Sequence, residues 1–426
     1  METLKFLMVA SFFPPYHRGG DAIQVRYLSE ALAAQGHEVH VEYSPAALAL
    51  KGARVATDDT VSPDVERHPI PAASGRWQPL SAWILGAPPG VRRHHRALVR
   101  QLKPDVIHVH NLSLLGLDLL LDKGSALNVY TAHDYWVRCP RNDLLKFGTH
   151  PCEKETCIAC CLVSAKPPQL WRYRDWVPRA WGNLDATIAP SAFLKRMIEG
   201  RLTCPVFHLP NFAPDRNPSG KIAEPGDFYL YLGRLEAQKG IRDLAQAMTA
   251  YRGPHRLVVI GKGKERKHLE AARAKGAPIE LRGWTPRNEL DVAAAEARAL
   301  IMPSIWYENS PLAAIEALCW GTPFLASNLG ALPELTYRET CGLAFPPTPE
   351  GIVDVLERFE KADAAHRQRR PARAAYEASH TTQTYLDRYQ LVLEAAWDAR
   401  GKTRASTEPV TGLSEAPRAS GDTGIA

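Results

Sequence analysis

Short apolar runs alternate with amphipathic segments of helical period along most of the chain. The first run, KFLMVASFF at residues 5–13, predicts a buried strand that is followed by a loop. The next segment, QVRYLSEALAAQG, places Val25, Leu28 and Leu32 on one helical face and ends at Gly36. Because strands that alternate with helices are typical of parallel sheets, the pattern predicts an α/β, doubly wound fold.

The same alternation recurs in the second half of the chain. A stretch rich in Pro, Gly, Asn and Asp separates the two series and indicates an inter-domain linker. We therefore predict two Rossmann-like domains that face a central cleft, followed by a Ser-, Thr-, Pro- and Gly-rich tail without hydrophobic periodicity. The predicted boundaries are residues 1–204 for the N-terminal domain with a Cys-rich insertion at 135–165, 205–226 for the linker, 227–381 for the C-terminal domain, 382–400 for a helix that crosses back, and 401–426 for a disordered tail.

The composition narrows the class of protein. The chain has 426 residues, of which 45% are hydrophobic and 23% charged, as expected for a globular protein. The net charge of +6 is compatible with an anionic ligand or an anionic membrane surface, but it falls short of the dense basic stripes of nucleic-acid-binding proteins. No apolar run reaches the roughly 18 residues of a membrane span, and the N-terminal run does not resemble a signal peptide. We expect a cytoplasmic protein with no nucleic-acid partner.

Polar or glycine residues follow directly on several predicted strands. Gly19 and Gly20 come after the first strand, and Asn111, His133 and Ser191 follow later ones. Ligands of parallel sheets bind beyond the carboxyl ends of the strands, so these residues are predicted to line the cleft. Paired glycines let a backbone approach a ligand closely, although a lone pair is a weak signal.

The stretch ENSPLAAIEALCWG holds two glutamates around a predicted helix start. Ser310 suits the N-cap, Pro311 the first helical position, and Gly321 the residue just past the helix end. The free amides at a helix start carry partial positive charge and bind phosphate readily. Glu308 precedes this start and Glu316 lies inside the helix, so both could flank one ligand. The spacing alone leaves open a surface helix with two incidental glutamates.

Two cations lie at the end of another predicted strand. Arg234 and Lys239, in GRLEAQKG, follow the strand FYLYLG and precede a helix. Two cations at a strand end fit a diphosphate, and they would offset the charge that builds on a leaving phosphate. Taken alone, the stretch favours two solvated surface cations. The nearby GKG at 261–263 resembles neither a P-loop nor a full G-x-G-x-x-G motif.

The order of these motifs resembles that of the retaining glycosyltransferases of family four, which have the GT-B fold. The shared elements are the GG loop, HD, PS-F, PN, GRL-x-x-x-KG, GxG, G-W, PS-x-x-x-E-x7-E and G-x-P-x-x-A-S-x-x-G-x-x-P-E, spread over most of the chain. The resemblance implies a nucleotide diphosphate sugar donor in the C-terminal domain and a glycan or lipid-linked acceptor in the N-terminal domain. It also implies transfer with retention at the anomeric carbon and no cofactor for catalysis.

The same resemblance implies a role for each candidate residue. Arg234 and Lys239 would bind the diphosphate, and Glu308 would face the donor sugar. His133 would contact the sugar near the reacting carbon, and Glu316 would hold the ribose hydroxyls. The expected catalytic set is His133, Arg234, Lys239 and Glu308. The expected donor-binding residues are Gly19, Gly20, Gly233, Gly261, Asn309, Ser310, Pro311, Leu312 and Glu316.

The sequence departs from the family pattern at one place. The first glutamate of the motif is usually followed by Phe-Gly, whereas Asn309 and Ser310 follow Glu308 here, which leaves the identity of the sugar open. Two other interpretations are a nucleotide-sugar-binding protein without turnover and another GT-B enzyme, such as an epimerase or a phosphorylase. The presence of Arg234, Lys239 and Glu308 favours the transferase, and we expect a role in cell-envelope or exopolysaccharide synthesis.

Five of the eight cysteines cluster in one short segment with the pattern C-x12-C-x4-C-x2-CC. In a chain without an export signal, such clustering favours metal or redox chemistry over disulfides. The thiolates suffice for a tetrahedral zinc site or an iron–sulfur cluster, and a metal would order an insertion that is predicted to be loop-like. The alternative is a set of free thiols in a flexible insertion. The candidate ligands are Cys139, Cys152, Cys157, Cys160 and Cys161, with His150 as a further candidate.

A strongly basic segment, GVRRHHRALVRQLKP at residues 90–104, predicts a helix with a few apolar positions. Basic helices can hold enzymes of this kind on anionic lipid, here on the inner face of the plasma membrane. A solvated helix face is an equal alternative.

Overall fold

The computed structural model describes residues 2–17, 19–52, 61–72, 75–88 and 90–401. Two parallel sheets, each covered by helices, form two α/β domains, which confirms the predicted fold class. Apart from Gly401, the tail predicted at 401–426 lies outside the described residues.

The N-terminal domain is built around one large sheet. Its strands within the described residues are β1 (Lys5–Ala10), β2 (Glu38–Tyr43), β3 (Val65–Pro69), β4 (Val106–Asn111), β5 (Leu127–Thr131), β6 (Leu145–Lys146), β7 (His150–Pro151), β8 (Ala186–Ala189) and β9 (Val206–His208). Seven of them pair in the order β3-β2-β1-β4-β5-β8-β9, and every pairing in this sheet is parallel. The remaining two, β6 and β7, form a separate antiparallel pair.

The C-terminal domain repeats this architecture. Its strands are β10 (Phe228–Leu232), β11 (Arg256–Ile260), β12 (Ile279–Gly283), β13 (Leu300–Met302), β14 (Phe324–Ser327) and β15 (Gly342–Phe345). They pair in the order β12-β11-β10-β13-β14-β15, again all parallel. Counted within this domain, that is the 3-2-1-4-5-6 order of the doubly wound nucleotide-binding fold, whose ligands bind at the point where the strand order reverses.

Helices cover both faces of each sheet. The described residues contain α1 (Gly20–Ala34), α2 (Pro45–Leu50), α3 (Trp77–Leu85), α4 (Val91–Leu102), α5 (Cys157–Val163), α6 (Trp176–Trp181), α7 (Ala192–Ile198), α8 (Ile241–Ala250), α9 (Arg266–Ala274), α10 (Arg287–Glu296), α11 (Leu312–Cys319), α12 (Pro349–Lys361), α13 (Ala364–Arg367), α14 (Arg369–Ser379) and α15 (Thr382–Ala399). None of the helices in the described part of the chain is long and apolar enough to cross a membrane.

Strand β1 shows why the sheets lie at the centre of the fold. Successive side chains of a strand point to opposite faces. Phe6 and Met8 accordingly pack into one core cluster, and Leu7 and Val9 pack into another on the opposite side. Because both faces are buried, the strand appears in the sequence as a continuous apolar run rather than an alternating one.

The boundary between the domains differs from the prediction. Strand β9 belongs to the N-terminal sheet, although it lies within the stretch expected to be linker from residue 205 onward. Its three residues stand between Pro205 and Pro210, so local composition resembles that of a loop. The connection to the C-terminal domain therefore starts only after His208.

The chain returns to the N-terminal domain at its end, as predicted. Helix α15 packs on the N-terminal sheet, where Tyr389 Oη lies 2.9 Å from His108 Nδ1 in a hydrogen bond. Arg400 Nη1 then donates to the carbonyl of Ala126 at 2.8 Å. The backbone thus passes between the domains twice, once after β9 and once after α14.

The Cys-rich insertion is folded rather than loop-like, so that part of the prediction is wrong. It contains the β6–β7 hairpin and helix α5. Leu144, Leu145, Cys160 and Cys161 are buried, and Leu144 and Cys139 pack into the core of the N-terminal domain. Sequence patterning missed this burial because the apolar residues of the segment follow neither a helical nor a strand period.

Candidate active site

An ion pair between Lys239 and Glu308 lies at the carboxyl ends of the C-terminal strands. Lys239 follows β10 and Glu308 follows β13, and Lys239 Nζ lies 2.5 Å from Glu308 Oε1. Ser304 Oγ and Trp306 Nε1 also donate to Oε1, each at 2.7 Å. All three donors meet the same oxygen, so Oε2 takes part in none of these bonds.

Glu308 is ionised in this setting. The side chain is buried, and burial alone would raise the pKa of the carboxyl group. The charge of Lys239 and the hydrogen bonds from Lys239, Ser304 and Trp306 outweigh burial and hold the pKa below its ordinary value. Lys239 also lies 5.5 Å from the centre of the Trp306 ring, which favours a cation there.

Close backbone contacts between glycines and neighbouring loops set the shape of this strand edge. Gly240 directly follows Lys239, has φ 70°, and a Cβ atom there would lie 1.8 Å from the carbonyl oxygen of Pro303. A Cβ on Gly261 would lie 1.9 Å from the carbonyl oxygen of Gly233. The two predicted donor-site glycines, Gly233 and Gly261, therefore lie side by side at the ends of β10 and β11, and the position of Gly261 has no room for a side chain.

Arg234 is more exposed than Lys239, and it pairs with Glu236, whose Oε1 lies 2.7 Å from Arg234 Nη1. Its charge also acts across the cleft on Asp21 at the start of α1, where burial raises the pKa of the carboxyl group and Arg234 opposes that rise. The predicted GG loop lies on the same side, since a Cβ on Gly20 would lie 3.5 Å from Leu312 Cδ1. The structure thus places the loop before α1 against the start of α11.

The start of α11 differs by one residue from the prediction. Pro311 is the N-cap, with φ −70° and ψ 124°, and the helix begins at Leu312, so Ser310 is not the cap. The carbonyl of Ser310 instead accepts a hydrogen bond from Asn211 Nδ2 at 2.9 Å. Ser310 Oγ is buried and has no hydrogen-bond partner among the described residues. The predicted helix end is confirmed, since Gly321 has φ 72° directly after the C-cap.

The first amides of α11 remain available to a ligand. The first N–H groups of any α-helix have no intrahelical acceptor, and here they belong to Leu312 and Ala313. The helix dipole makes this end partly positive, which suits an anion.

Glu316 is buried and paired with an arginine that the sequence analysis missed. Arg287 Nη1 donates to both carboxylate oxygens of Glu316, at 3.1 and 3.2 Å. Arg287 lies on α10 and also pairs with Asp291 at 3.0 Å. No local signal links Arg287 with Glu316, because α10 and α11 are brought together only by the fold.

His133 lies at the end of a row of neutral histidines. His133 Nε2 lies 3.0 Å from His110 Nδ1, and the ring of His110 lies 4.0 Å from that of His108. Burial lowers the pKa of His133 to about 4, and that of His110 well below its ordinary value. His133 is therefore an uncharged group at neutral pH. The alternation in VIHVHN places His108 and His110 on one face of β4, and this pattern is the sequence signal for the row of histidines.

Two further contacts join the domains beside this site. Asn309 Nδ2 donates to the carbonyl of Ala132 at 3.1 Å, and Asn309 Oδ1 accepts from Ser191 Oγ at 2.6 Å. The carboxylate of Glu334 accepts hydrogen bonds from the backbone N–H groups of Ala192 and Phe193 at the start of α7, at 2.9 and 2.6 Å. Residues from both domains therefore surround the ion pair of Lys239 and Glu308.

The five clustered cysteines, all described by the structure, are free thiols. Burial raises the pKa of Cys139 and Cys152, and that of Cys157 to about 11. No three of the five sulfur atoms lie within 4.8 Å of one another. Four thiolates around zinc would be about 3.8 Å apart, given a Zn–S bond of about 2.3 Å. The zinc site stays a prediction, and the segment would have to tighten to form it.

The basic segment at residues 90–104 forms α4, as predicted, but much of its charge is occupied. Arg92 and Arg96 both bind the carboxylate of Asp122, on the exposed side of the helix. His94 and His95 both bind Glu42 on β2. Arg93 and Arg100 are exposed on the same helix, so lipid binding by α4 stays a prediction.

Two models of known protein families together match nearly the whole of the described chain. Residues 18–213 match the family model described as "Glycosyltransferase Family 4". Residues 214–378 match the model described as "Glycosyl transferases group 1". The boundary between the two matches falls just after β9, where the backbone first leaves the N-terminal sheet.

Relatives align over most of their length. A glycogen synthase of Mycobacterium tuberculosis is 26% identical over 440 residues, which cover 90% of this chain and 94% of that protein. A GDP-mannose-dependent alpha-(1-6)-phosphatidylinositol dimannoside mannosyltransferase of the same species is 25% identical over 388 residues, covering 87% and 92%.

Solved structures share the fold at lower identity. A sucrose-phosphate synthase from Thermosynechococcus elongatus superimposes with a TM-score of 0.67 at 20% identity, covering 92% of this chain and 98% of that one. Anabaena HepE in complex with UDP-glucose superimposes with a TM-score of 0.61 at 14% identity, covering 92% and 100%. The chain therefore belongs to the group 1 glycosyltransferases of glycosyltransferase family 4, and its two domains have the GT-B fold.

Proposed function

We propose that this glycosyltransferase moves a hexose, with retention at the anomeric carbon, from a nucleotide diphosphate sugar to a glycan or lipid-linked acceptor. The observation that carries the proposal is the ion pair of Lys239 and Glu308 beside the N-terminus of α11. A cation, a carboxylate and free amides meet there at the carboxyl ends of parallel strands, which is where such sheets bind nucleotides.

The donor diphosphate is expected between β10 and α11. Arg234 and Lys239 provide two positive charges, and the N–H groups of Leu312 and Ala313 provide donors with a favourable dipole. Ser310 Oγ, buried and without a partner in the described chain, is a further donor for the same ligand. HepE has been crystallised with UDP-glucose, and the mycobacterial mannosyltransferase depends on GDP-mannose. The relatives thus support a nucleotide sugar but leave base and sugar to experiment.

The proposed reaction depends on stabilising the negative charge that develops on the leaving diphosphate. As the bond between the anomeric carbon and the diphosphate oxygen breaks, its electron pair goes to that oxygen. Arg234, Lys239 and the α11 amides stabilise the new charge. The departing phosphate oxygen then takes the proton of the acceptor hydroxyl, which forms the new glycosidic bond on the face that the diphosphate left.

The two glutamates have separate tasks in this proposal. Glu308 Oε1 is fully engaged by three donors, so Oε2 is the oxygen that meets the donor sugar. Glu316 accepts the ribose hydroxyls while Arg287 holds it in place. Glycosidases instead need a pair of carboxylates on either side of one scissile bond. His133, uncharged and held by His110, contacts the sugar as a neutral hydrogen-bonding group.

An exposed apolar surface on the N-terminal domain supports a lipid-linked acceptor. Its exposed side chains, which we call the α3–α5 surface, are Trp77, Ile84, Leu85, Ile158, Leu162, Val163, Leu170 and Tyr173. The segments that carry them are linked, because Trp83 Nε1 donates to the carbonyl of Pro167 and Trp171 Nε1 donates to that of Trp83, both at 2.9 Å. Large apolar patches of this kind mark protein or membrane contacts.

Arginine side chains beside this surface suit a phosphate-bearing acceptor. An open cleft is lined by Arg138, Arg172 and Arg201, by Glu155, and by Ile158 and Tyr173 of the α3–α5 surface. Glu155 pairs with Arg138 and Arg201, at 2.6 and 2.7 Å, so a phosphate would compete with that carboxylate for side chains that bind phosphate well. We propose that the α3–α5 surface, rather than α4, attaches the enzyme to the cytoplasmic leaflet during cell-envelope or exopolysaccharide synthesis.

Product analysis with a panel of UDP-, GDP- and ADP-sugars tests the reaction. We expect one donor to yield free nucleoside diphosphate and an acceptor product whose anomeric configuration matches that of the donor by NMR. Saturable binding of a donor without turnover would indicate a binding protein. Conversion of the donor sugar in the absence of acceptor would indicate an epimerase, and an inverted product would exclude retention.

Sedimentation with anionic vesicles tests the membrane contact. Leu162→Asp with Val163→Asp should abolish sedimentation, because both side chains are more than 60% exposed on the α3–α5 surface. The matched control is Val292→Asp, an exposed apolar position on α10 of the C-terminal domain. An equal loss of sedimentation in the control, or no vesicle binding by the wild type, would reject the proposed membrane contact. Either result would leave the proposed transfer reaction unaffected.

A further inference from the structure

Two histidines and a glutamate meet on the outer edge of the N-terminal sheet, away from the cleft. His40 lies on β2, and Glu66 and His68 lie on the neighbouring edge strand β3, where His40 is paired with Glu66 in the strand register. His40 Nδ1 lies 3.0 Å from His68 Nε2 and 3.3 Å from Glu66 Oε2, and His68 Nε2 lies 3.4 Å from Glu66 Oε1. We propose that these three side chains form a binding site for a divalent transition metal ion of the zinc class.

The spacing of the three groups fits one ion. Zinc binds histidine nitrogen and carboxylate oxygen at about 2.0–2.2 Å, so two ligands in a tetrahedron stand about 3.3–3.5 Å apart. The two nitrogens are 3.0 Å apart, and each lies 3.3 or 3.4 Å from a different oxygen of Glu66. One ligand atom from each of the three residues lies within 4.8 Å of the other two. Two nitrogens and one oxygen suit zinc, cobalt, nickel or copper, whereas magnesium and calcium prefer sets made of oxygen alone.

The hydrogen bond that His40 makes on its far side also fits a ligand role. His40 Nε2 lies 2.8 Å from Glu38 Oε1, and since a carboxylate only accepts, Nε2 carries a proton and donates. This leaves Nδ1, the nitrogen that faces Glu66 and His68, to bind the ion.

Glu38 supplies the outer support that metal-binding histidines usually have. Its carboxylate is itself fixed by Lys5 of β1, whose Nζ lies 2.9 Å away. A carboxylate that receives the second N–H of a ligating histidine orients the ring and raises its basicity. Glu42, one step along the same face of β2, is already bound by His94 and His95 and is not part of the ligand set.

The site is open on one side. His40 is buried, whereas the side chain of Glu66 is 64% exposed, so water can complete the tetrahedron. A metal here would join β3 to β2 through side chains as well as through the backbone ladder. The metal would therefore have a structural role, because it would hold the edge strand β3 against β2. The metal site is separate from the donor site.

Cobalt titration of the full-length protein, freed of metal by a chelator that is then removed, tests the proposal. We expect one equivalent of Co²⁺ to give the visible absorption of a tetrahedral site without a thiolate charge-transfer band, and Zn²⁺ to displace it. Zn²⁺ should also raise the melting temperature by about 5 °C. His68→Ala should abolish this spectrum, Glu66→Gln should weaken binding at least about 10-fold, and Glu38→Gln about 10–100-fold.

Asp64→Asn is the matched control, because it removes an exposed carboxylate just before β3 and should leave binding unchanged. Glu66→Gln keeps the test decisive if His68→Ala does not fold, since Glu66 is exposed. A spectrum dominated by thiolate charge transfer and lost in Cys160→Ser would assign the metal to the cysteines and overturn the proposal. Binding unaffected by both Glu66→Gln and His68→Ala, or the absence of binding, would also overturn it.

Discussion

Lys239 Nζ and Glu308 Oε1, which are 69 positions apart in the chain, lie 2.5 Å from each other at the centre of the cleft. The pair places a cation where the leaving diphosphate gains charge, and a carboxylate where the sugar binds. Lys239→Ala and Glu308→Ala should each lower kcat/KM by about 10²–10³-fold while the protein stays folded. Steady-state rates with the donor found in the panel, together with circular dichroism, measure both properties.

The control for these variants is Arg242→Ala. Arg242 is three residues beyond Lys239, is largely exposed and pairs with Glu265. Its removal changes the net charge by the same amount, so it should leave the rate within about twofold. Near-normal transfer by Lys239→Ala or Glu308→Ala would contradict the assignment of the site.

The same pair predicts a non-additive effect on stability. Lys239→Ala leaves the buried carboxylate of Glu308 without its cation, which should cost about 3–5 kcal/mol. Removing Glu308 as well takes away the unpaired charge, so the double variant should melt at a higher temperature than Lys239→Ala alone. Differential scanning calorimetry of the four proteins gives the coupling, and strictly additive shifts would show that the pair is not coupled in the folded state.

Gly240 should tolerate no side chain. Alanine at this position would place its Cβ 1.8 Å from the carbonyl oxygen of Pro303, in addition to a left-handed φ of 70°. We expect Gly240→Ala to cost more than about 3 kcal/mol and to displace Lys239. Gly36→Ala is the control, since Gly36 has φ 86° but no described atom lies within 4 Å of its Cβ position. It should cost only about 1–2 kcal/mol of backbone strain, and similar melting temperatures for the two variants would contradict the steric explanation.

His380 predicts a loss of stability in acid. Its Nδ1 donates to the carbonyl of Asn211, its Nε2 accepts from Tyr337 Oη, and burial, with smaller contributions from Arg388 and His208, lowers its pKa to about 4. An unfolded histidine titrates near 6.5. Between these values the unfolded state binds the extra proton, so this contribution is constant above pH 6.5 and is lost as the pH falls toward 4, by at most about 1.4 kcal/mol per pH unit.

His380→Gln should therefore reduce the slope of melting temperature against pH between 6.5 and 4. Glutamine keeps a donor for the Asn211 carbonyl but binds no proton in this range. His366→Gln, on the exposed side of α13, is the control and should leave the slope unchanged. An unchanged slope in His380→Gln would show that other groups dominate the acid response.

The elements whose pattern is local could be predicted from the sequence. The apolar runs that became β1, β4, β10 and β11 and the helix α15 were identified, because each strand is buried on both faces and each helix has a clear stripe. Arg287, which holds Glu316, and Glu334, which caps α7 from the other domain, could not be predicted. Their partners are 29 and about 142 positions away, and no spacing rule connects them.

The start of α11 was predicted one residue too early for the same reason, a contact between residues far apart in the chain. Ser310 has the composition of an N-cap, but its backbone carbonyl is held by Asn211 from the inter-domain connection. Pro311 is extended, and α11 begins one residue later. A contact made 99 positions away in the chain thus overrides a local preference.

The two passages of the backbone between the domains, after β9 and at His380, have a mechanical consequence. Two fixed points define a line, so the domains can rotate about that line but can hardly slide or twist past each other. His380 joins the two passages by its hydrogen bond to Asn211. Opening of the cleft for donor exchange is thereby confined to a single hinge axis, and Asn211, whose side chain donates to the carbonyl of Ser310, links that axis directly to the start of α11.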